Sequence, residues 1–296
     1  MKTIVIISGK GGTGKTVVSA GFAALARRKV MVDCDVDAAD LHLLLHPQVL
    51  EKHVFKKGVT AEIDEGKCTR CGRCREHCRF EAITSDFKID GLACEGCGFC
   101  FHLCPEQAVC LKENVSGQWY ISTTRYGPMV HADLFPGEEN SGKLVAEVRD
   151  VARRLAEEQK LDYVIVDGTP GIGCPVIASL SGADLALVVT EPTLSGIHDL
   201  DRVLAVTRHF KIPSRVIINK YDLNEVNTLA IEAAQKNLGF DVLGRIPFSS
   251  AVPESVVQAK PVMECGSNKV TEEIQRIWAA VEDLLQISVQ QKGPAE

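Results

Sequence analysis

Eight of the twelve cysteines in this 296-residue chain fall into two groups with identical spacing. The groups are Cys68, Cys71, Cys74 and Cys78, and Cys94, Cys97, Cys100 and Cys104. Each group reads C-x2-C-x2-C-x3-C, and thiolates at such short intervals are ligands for soft metals. We therefore expect metal centres, and not a disulfide framework, in this part of the chain.

The spacing is typical of bacterial ferredoxins, in which the fourth cysteine of each motif ligates the cluster of the other motif. It predicts two [4Fe–4S] clusters, one held by Cys68, Cys71, Cys74 and Cys104 and one held by Cys94, Cys97, Cys100 and Cys78. Structural zinc is the alternative, and two complete copies of the spacing argue against it. Pro105 follows the second motif as the pattern requires, but Arg79 stands there after the first, which leaves that loop's geometry open.

A second motif follows the apolar run Thr3–Ile7 and precedes a helical pattern. It matches G-x-x-x-x-G-K-[ST] and consists of Gly9, Lys10, Gly11, Gly12, Thr13, Gly14, Lys15 and Thr16. Glycines let the backbone N–H groups of such a loop surround phosphates, and the helix N-terminus favours negative charge. We expect Lys15 to reach the β- and γ-phosphates and the Thr16 hydroxyl to bind Mg²⁺.

The segment KGGTGKT resembles the deviant Walker A motif of the MinD/ParA superfamily, to which nitrogenase iron protein and Mrp-type proteins also belong. The resemblance implies an ATPase in which Lys10 crosses a dimer interface, hence a homodimer or paralogue heterodimer on ATP binding. In Val32–Leu41, similar to switch I of the family, Asp35 is the implied residue that positions the attacking water. Ile165–Pro175 is similar to Walker B and switch II. The resemblance implies that Asp167 binds the ligands of Mg²⁺ and not the ion itself.

Base recognition is expected from two segments. Asn219 begins NKYD, which superficially matches a guanine-reading motif, but the family resemblance implies that this Asn reads adenine and that Pro247 lies in a loop closing over the base. ATP is therefore favoured, and GTP stays open.

Four cysteines lie outside the motifs: Cys34, Cys110, Cys174 and Cys265. We expect most of them to be buried as small hydrophobic residues. For Cys174 the alternative to burial is that it ligates a cluster bridging two subunits, because its offset from Asp167 resembles that of such a ligand in nitrogenase iron protein.

Short apolar runs alternate with helical patterns along most of the chain, which predicts a doubly wound, mostly parallel α/β sheet. The cysteine-rich segment interrupts this alternation and is expected to be an inserted ferredoxin-like α+β domain. The expected parts are residues 1–60 and 114–288 for the P-loop ATPase domain, 61–113 for the insertion and 289–296 for a disordered tail.

The composition of the chain disfavours some classes of binding partner. A formal net charge of −6 argues against a nucleic-acid partner, and clusters would add negative charge. The apolar face of the last helix could anchor to a membrane, but its acidic residues favour core packing, so a membrane is not expected as a partner. No secretion signal or membrane span is apparent, so a cytoplasmic location is expected.

Three functions remain open at this level. The leading one is an ATP-gated electron-transfer protein that acts with a redox or cofactor-handling partner. The alternatives are an Mrp-like assembly factor for Fe–S or other metallocofactors and a MinD-like positioning ATPase with sensory clusters. Two closed ferredoxin motifs predict retained clusters and so disfavour assembly.

Overall fold

The computed structural model describes residues 1–36, 39–136, 138 and 141–290. Asp37 and Ala38 of the segment resembling switch I therefore lie outside the described residues. The expected tail does so too, except for Val289 and Gln290, which belong to the last helix.

Nine strands form one sheet in the order β3-β4-β5-β2-β6-β1-β7-β8-β9. The strands are β1 (Lys2–Ser8), β2 (Lys29–Asp33), β3 (Gln48–Ile63), β4 (Val109–Thr124), β5 (Gly127–Leu134), β6 (Tyr163–Pro170), β7 (Leu185–Thr190), β8 (Ser214–Asn219) and β9 (Asp241–Ile246). All neighbouring pairs from β5 to β9 in that order are parallel. The mostly parallel α/β sheet expected from the apolar runs is thus confirmed.

Ten helices accompany the described strands. They are α1 (Lys15–Leu25), α2 (Leu41–Leu45), α3 (Arg73–Glu76), α4 (Phe99–Leu103), α5 (Ser141–Glu158), α6 (Cys174–Leu180), α7 (Leu194–His209), α8 (Glu225–Asn237), α9 (Ala251–Val257) and α10 (Lys269–Gln290). Helices α1 and α10 pack on one face of the sheet around a core that includes Phe22, Met31 and Trp278. Helices α5, α6 and α7 contact β2, β6 and β7 through residues outside that core.

Helix α10 settles the choice between membrane anchor and core packing. Its apolar side chains Ile274, Ile277 and Val281 are fully buried, and Trp278 stacks at a tilt on Phe22 with 5.0 Å between ring centroids. In the described part of the chain, no helix is long and apolar enough to cross a membrane.

Strand β3 was not expected from the sequence. Most of its residues are exposed, and it forms the edge of the sheet, so it lacks the apolar run that marks the central strands. Charged residues such as Lys56 and Lys57 are compatible with an edge strand because they oppose pairing with another chain.

The chain forms two compact units. The main unit contains residues 1–53, 118–136 and 141–290, and the second, called the cysteine unit below, contains chiefly Val54–Gly117. The chain leaves the main unit within β3 and returns to it within β4. The cysteine unit is therefore wider than the expected range 61–113, because the two long strands continue into it.

Candidate functional site

The phosphate-binding motif connects β1 to α1 at the carboxyl end of the sheet. Gly12 and Gly14 have φ angles of 77° and 96°, which side-chain-bearing residues rarely adopt. A Cβ at position 14 would lie 2.3 Å from Nδ2 of Asn219. The loop conformation thus depends on glycine at this position, and it leaves Lys15 and Thr16 at the first turn of α1.

A cavity of about 630 Å³ opens beside this loop. It is lined by Gly11, Gly12, Gly14, Lys15, Thr16 and Asp35, with Thr169 and Pro170 from the end of β6. Among the described residues, Oγ1 of Thr13 and Oγ1 of Thr169 are buried without a hydrogen-bond partner in the protein. Thr169 lines the cavity, so a polar ligand there would satisfy its hydroxyl group, since buried polar atoms normally have partners.

Two buried carboxylates lie beside the loop at the ends of adjacent strands. Asp33 and Asp167 are register partners on β2 and β6. Asp33 accepts from the backbone N–H of Asp35 at 3.1 Å and of Leu41 at 3.2 Å, which orders the segment carrying Asp35. Asp167 accepts from Oγ of Ser19 at 2.9 Å.

Burial is the main reason why the pKa values of these two carboxyl groups are raised. It raises the pKa of Asp167 to about 6, although the positive charge of Lys15 and the Ser19 hydrogen bond act in the opposite direction. Burial and then the negative charge of Asp167 raise the pKa of Asp33 well above its ordinary range. A divalent cation placed here would relieve both effects.

Lys10 does not point into the cavity of its own loop. Its Nζ lies 2.6 Å from Oε1 of Glu191 and donates to Oγ of Ser195 at 2.9 Å. Lys220 lies 3.2 Å from the other Glu191 oxygen and also donates to the carbonyl of Gly12. Burial would raise the pKa of Glu191, but the hydrogen bonds from Lys10 and Lys220 outweigh it and lower that pKa. Sequence reasoning missed Glu191 and Lys220, although each directly follows a strand ending at this edge.

Asn219 contacts the phosphate-binding loop from behind. Its Nδ2 donates to the carbonyl of Thr13 at 2.7 Å, so the side chain holds the loop in place. Asp222 accepts from the N–H of Phe248 at 2.7 Å and thereby ties NKYD to the loop containing Pro247. Base reading by Asn219 and Pro247 stays a prediction.

The cysteine unit contains two cavities lined by thiols. One is lined by Cys68, Cys71, Cys74 and Cys104, and the other by Cys78, Cys94, Cys97, Cys100 and also Cys74. In both cavities, therefore, the fourth cysteine of one motif meets the first three of the other.

The unit is an internal repeat with an offset of 26 residues, of which only the cysteine motifs were recognised in the sequence. Positive φ angles recur at Arg70 and Gly96, at Gly72 and Gly98, and at Glu81 and Gln107. The N–H groups of Cys68 and Cys94 donate to the carbonyls of Asp64 and Asp90, each at 3.0 Å. The repeated sequences IDEGKC and IDGLAC were the signal available for the longer repeat.

The repeat also shows the local geometry of the loop that has Arg79 in place of proline. The N–H of Glu81 donates to the carbonyl of Cys78 at 3.3 Å, and Gln107 donates to Cys104 at 3.2 Å in the equivalent loop. Arg79 therefore leaves the local geometry unchanged.

No three His, Cys, Asp or Glu side chains converge closely enough to hold a single metal ion anywhere in residues 1–36, 39–136, 138 and 141–290. Burial raises the pKa of Cys74 and Cys100, and the neighbouring thiols of each motif raise it further.

The expectation for the remaining cysteines was wrong for two of the four. Cys34 is buried and Cys265 partly so, but Cys110 and Cys174 are exposed. Cys110 lies on β4 with Sγ 3.7 Å from Glu62, and Cys174 begins α6. Both are near element ends or an edge, where burial is not enforced.

The nucleotide site has known relatives. The model of the family described as the CobQ/CobB/MinD/ParA nucleotide-binding domain matches residues 4–262. This chain belongs to that family. It is 34% identical over 288 residues to an uncharacterised protein of Methanocaldococcus jannaschii, covering 95% of this chain and 97% of the relative. It is 25% identical over 280 residues to the septum site-determining protein MinD of Bacillus subtilis, covering 91% and 85%.

Solved structures of MinD share the fold. MinD of Pyrococcus horikoshii complexed with Mg-ADP superposes with a TM-score of 0.61 at 19% identity, over 97% of this chain and 98% of that one. MinD of Pyrococcus furiosus gives 0.59 at 20% identity, over 96% and 99%. As a MinD/ParA-family protein, the chain is a nucleotide-binding P-loop ATPase.

The comparisons with known proteins also bear on the choice among the three functions left open by the sequence. They favour the MinD-like interpretation over the ATP-gated electron-transfer interpretation that led in the sequence. The inserted ferredoxin-like domain and the link to Mrp-type proteins stay predictions.

Proposed function

We propose that this ATPase is a MinD-like nucleotide switch whose cysteine unit holds two [4Fe–4S] clusters. The observation that carries the proposal is the lining of the two thiol cavities, one by Cys68, Cys71, Cys74 and Cys104 and one by Cys94, Cys97, Cys100 and Cys78. These are the two crosswise ligand sets of the bacterial ferredoxin pattern.

The donor set fits such clusters. In a cubane cluster each thiolate binds a different iron atom, so the sulfurs stand further apart than around one ion. The backbone supports negative charge there, since the N–H of Ala108 donates to Sγ of Cys104 at 3.3 Å. A bound cluster would supply one-electron redox chemistry, and the chain's own residues would hold it and set its surroundings.

At the other site we propose MgATP as the ligand. Lys15 and the loop amides would bind the phosphates, Thr16 would bind Mg²⁺, and Asp167 would lie behind its ligands. Asp35, held by the Asp33 hydrogen bond, would position the attacking water. ATP is preferred to GTP because MinD of P. horikoshii was solved with Mg-ADP.

We further propose that ATP binding produces a homodimer or a paralogue heterodimer through Lys10. A protein partner in the cytoplasm would bind this dimeric state. The clusters would then sense redox conditions or transfer electrons to that partner. Electron transfer remains the second candidate because Cys74 lines both thiol cavities, so the two centres would be close to each other.

Iron analysis of anaerobically purified protein tests the cluster proposal. We expect about eight irons per chain and the absorbance of [4Fe–4S] centres. Cys110→Ser is the matched control, since Cys110 is an exposed thiol of the same unit outside both ligand sets.

Pairs of substitutions test the crosswise assignment. Cys68→Ser with Cys104→Ser should remove one cluster and leave about four irons, whereas Cys94→Ser with Cys104→Ser should remove both. Equal losses in the two double variants would contradict the assignment, and iron-free wild-type protein would overturn the cluster proposal.

A further inference from the structure

The two repeats of the cysteine unit carry different surface chemistry at equivalent positions. Four exposed arginines of the first repeat form what we call the arginine face: Arg70, Arg73, Arg75 and Arg79. An offset of 26 residues places Gly96, Phe99, Phe101 and Pro105 at the same positions of the second repeat. Because the backbones match, this contrast is not required by the fold.

The arginine face has no ion pair within the described part of the chain. Seven other arginines do pair with an acid: Arg28, Arg125, Arg153, Arg202, Arg215, Arg245 and Arg276. Glu76 is the one acid between Arg70 and Arg79 in the sequence. Positive charge is thus concentrated within ten consecutive residues of a chain whose net charge is −6.

The face lies at the thiol cavities. Arg70 and Arg73 line the cavity of Cys68, Cys71, Cys74 and Cys104, and Arg79 lines the other one. A partner bound to these arginines would therefore be held beside the cysteines.

We propose that the arginine face is the docking surface for an acidic one-electron carrier protein. This inference rests on the proposed clusters for its redox role but not for binding. The carrier would lose one electron and the cysteine unit would gain it, with no bond or proton transferred. Four charges on a small face suit the weak, rapidly exchanging contacts of electron-transfer partners. A nucleic acid is disfavoured because it needs a longer basic track than this face offers.

The test uses an acidic plant-type [2Fe–2S] ferredoxin as the probe. Its chemically reduced form is mixed anaerobically with the oxidised full-length protein, and electron transfer is followed by stopped-flow absorbance at several salt concentrations. The variant Arg70→Gln/Arg73→Gln/Arg75→Gln should lower the second-order rate constant about tenfold or more at low salt, and its rate should depend less on salt.

A matched variant separates local from net charge. Arg27→Gln/Arg153→Gln/Arg154→Gln removes the same number of exposed charges from the main unit and should change the rate less than twofold. The ATPase rate should be unchanged in both variants, and the iron content of each is measured before the rates are compared. If the first variant loses iron, Arg75→Glu replaces it, since Arg75 lines neither thiol cavity.

Three results would overturn the inference. They are equal rates in the arginine-face variant and wild type, equal losses in the two triple variants, and arginine-dependent binding of single-stranded DNA with no binding of the ferredoxin. If the wild-type protein contains no iron, calorimetric binding of the oxidised ferredoxin still decides the docking surface, so failure of the cluster proposal can be told apart.

Discussion

At the scale of single residues, the nucleotide site combines two carboxyl groups that water does not reach. Asp33 and Asp167 are almost fully buried, and the negative charge of Asp167 raises the cost of charging Asp33. Two buried carboxylates are unfavourable for the folded state when no cation is bound. The same arrangement provides the negative charge that a bound cation needs.

Nucleotide-free stability should consequently depend on the titration of Asp167. Its pKa is about 6 in the folded chain against an ordinary value of 3.8, so the folded state holds the proton more tightly. The contribution is fully present below about pH 4 and is lost as the pH rises through 6, with a size on the order of 3 kcal/mol. Urea unfolding of wild type and Asp167→Asn without Mg²⁺ should show wild type losing stability relative to the variant across this range.

The control for that experiment is Asp241→Asn, whose carboxyl is exposed. Its unfolding free energy should follow that of wild type with pH. Parallel curves for wild type and Asp167→Asn would show that the buried carboxyl does not titrate as expected.

Asp35 is the residue on which hydrolysis should depend. Asp35→Ala should bind ATP normally but hydrolyse it about 10²-fold more slowly, since positioning and activating the water is lost. Lys15→Ala should instead impair nucleotide binding. Phosphate release and binding of a fluorescent ATP analogue separate the two effects, and Asp241→Ala is the control. Undiminished hydrolysis by Asp35→Ala would disprove its role.

At the scale of elements, the packing of α1 against α10 depends on a small residue. Gly21 lies on α1, where an added Cβ would come 2.8 Å from Cγ2 of Ile274 on α10. Since the interior is close-packed, larger side chains here must displace α10 or adopt strained rotamers.

Gly21→Leu should therefore destabilise the protein by about 1–3 kcal/mol in urea unfolding. Ile274→Ala in the same chain should restore part of that loss, because it removes the atoms that clash. Ala24→Leu, at a partly exposed position of the same helix, is the control and should cost less than 1 kcal/mol. Additive effects of Gly21→Leu and Ile274→Ala would contradict the contact.

At the scale of the whole molecule, the state of Lys10 should control assembly. In the single chain, Glu191 holds Lys10 at 2.6 Å, and this pair must break before Lys10 can reach a second chain. Glu191→Gln weakens the attraction, so the variant should dimerise at a lower ATP concentration, while Lys10→Ala should dimerise less than wild type. Analytical ultracentrifugation with Asp35→Ala as background measures both, and Asp201→Asn serves as the surface control. A weaker dimer in Glu191→Gln would show that Glu191 is needed in the dimer itself.

Communication between the two units is the second prediction at this scale. The connections of the cysteine unit lie in sequence between the segments of Asp35 and Asp167, which contact the nucleotide cavity or lie beside it. A nucleotide can change the conformation of these connecting segments only if it binds two conformations of the protein with different affinities. Limited proteolysis within Lys56–Lys67 and Lys112–Arg125 should differ between nucleotide-free protein and ATP-bound Asp35→Ala. Identical digestion in both states would mean that the units act independently.

Local sequence was sufficient for residues whose role depends on near neighbours. The glycines of the phosphate-binding loop, the cysteine motifs and the central strands all carry patterns within a few residues. The edge strand β3 was missed because exposed edges need no apolar run, and the 26-residue repeat because its matches outside the cysteines are sparse.

The sequence by itself determined the parallel α/β sheet and the phosphate-binding loop, since motif spacing and hydrophobic periodicity are local; the two crosswise cysteine ligand sets stay a prediction. Only the tertiary structure decided that Glu191 and Lys220 meet Lys10, that Asn219 braces Thr13, and that Asp33 and Asp167 are buried as a pair. The physical reason is that parallel strands distant in the chain end at one edge of the sheet. Contacts there depend on strand order, which no single segment of sequence encodes.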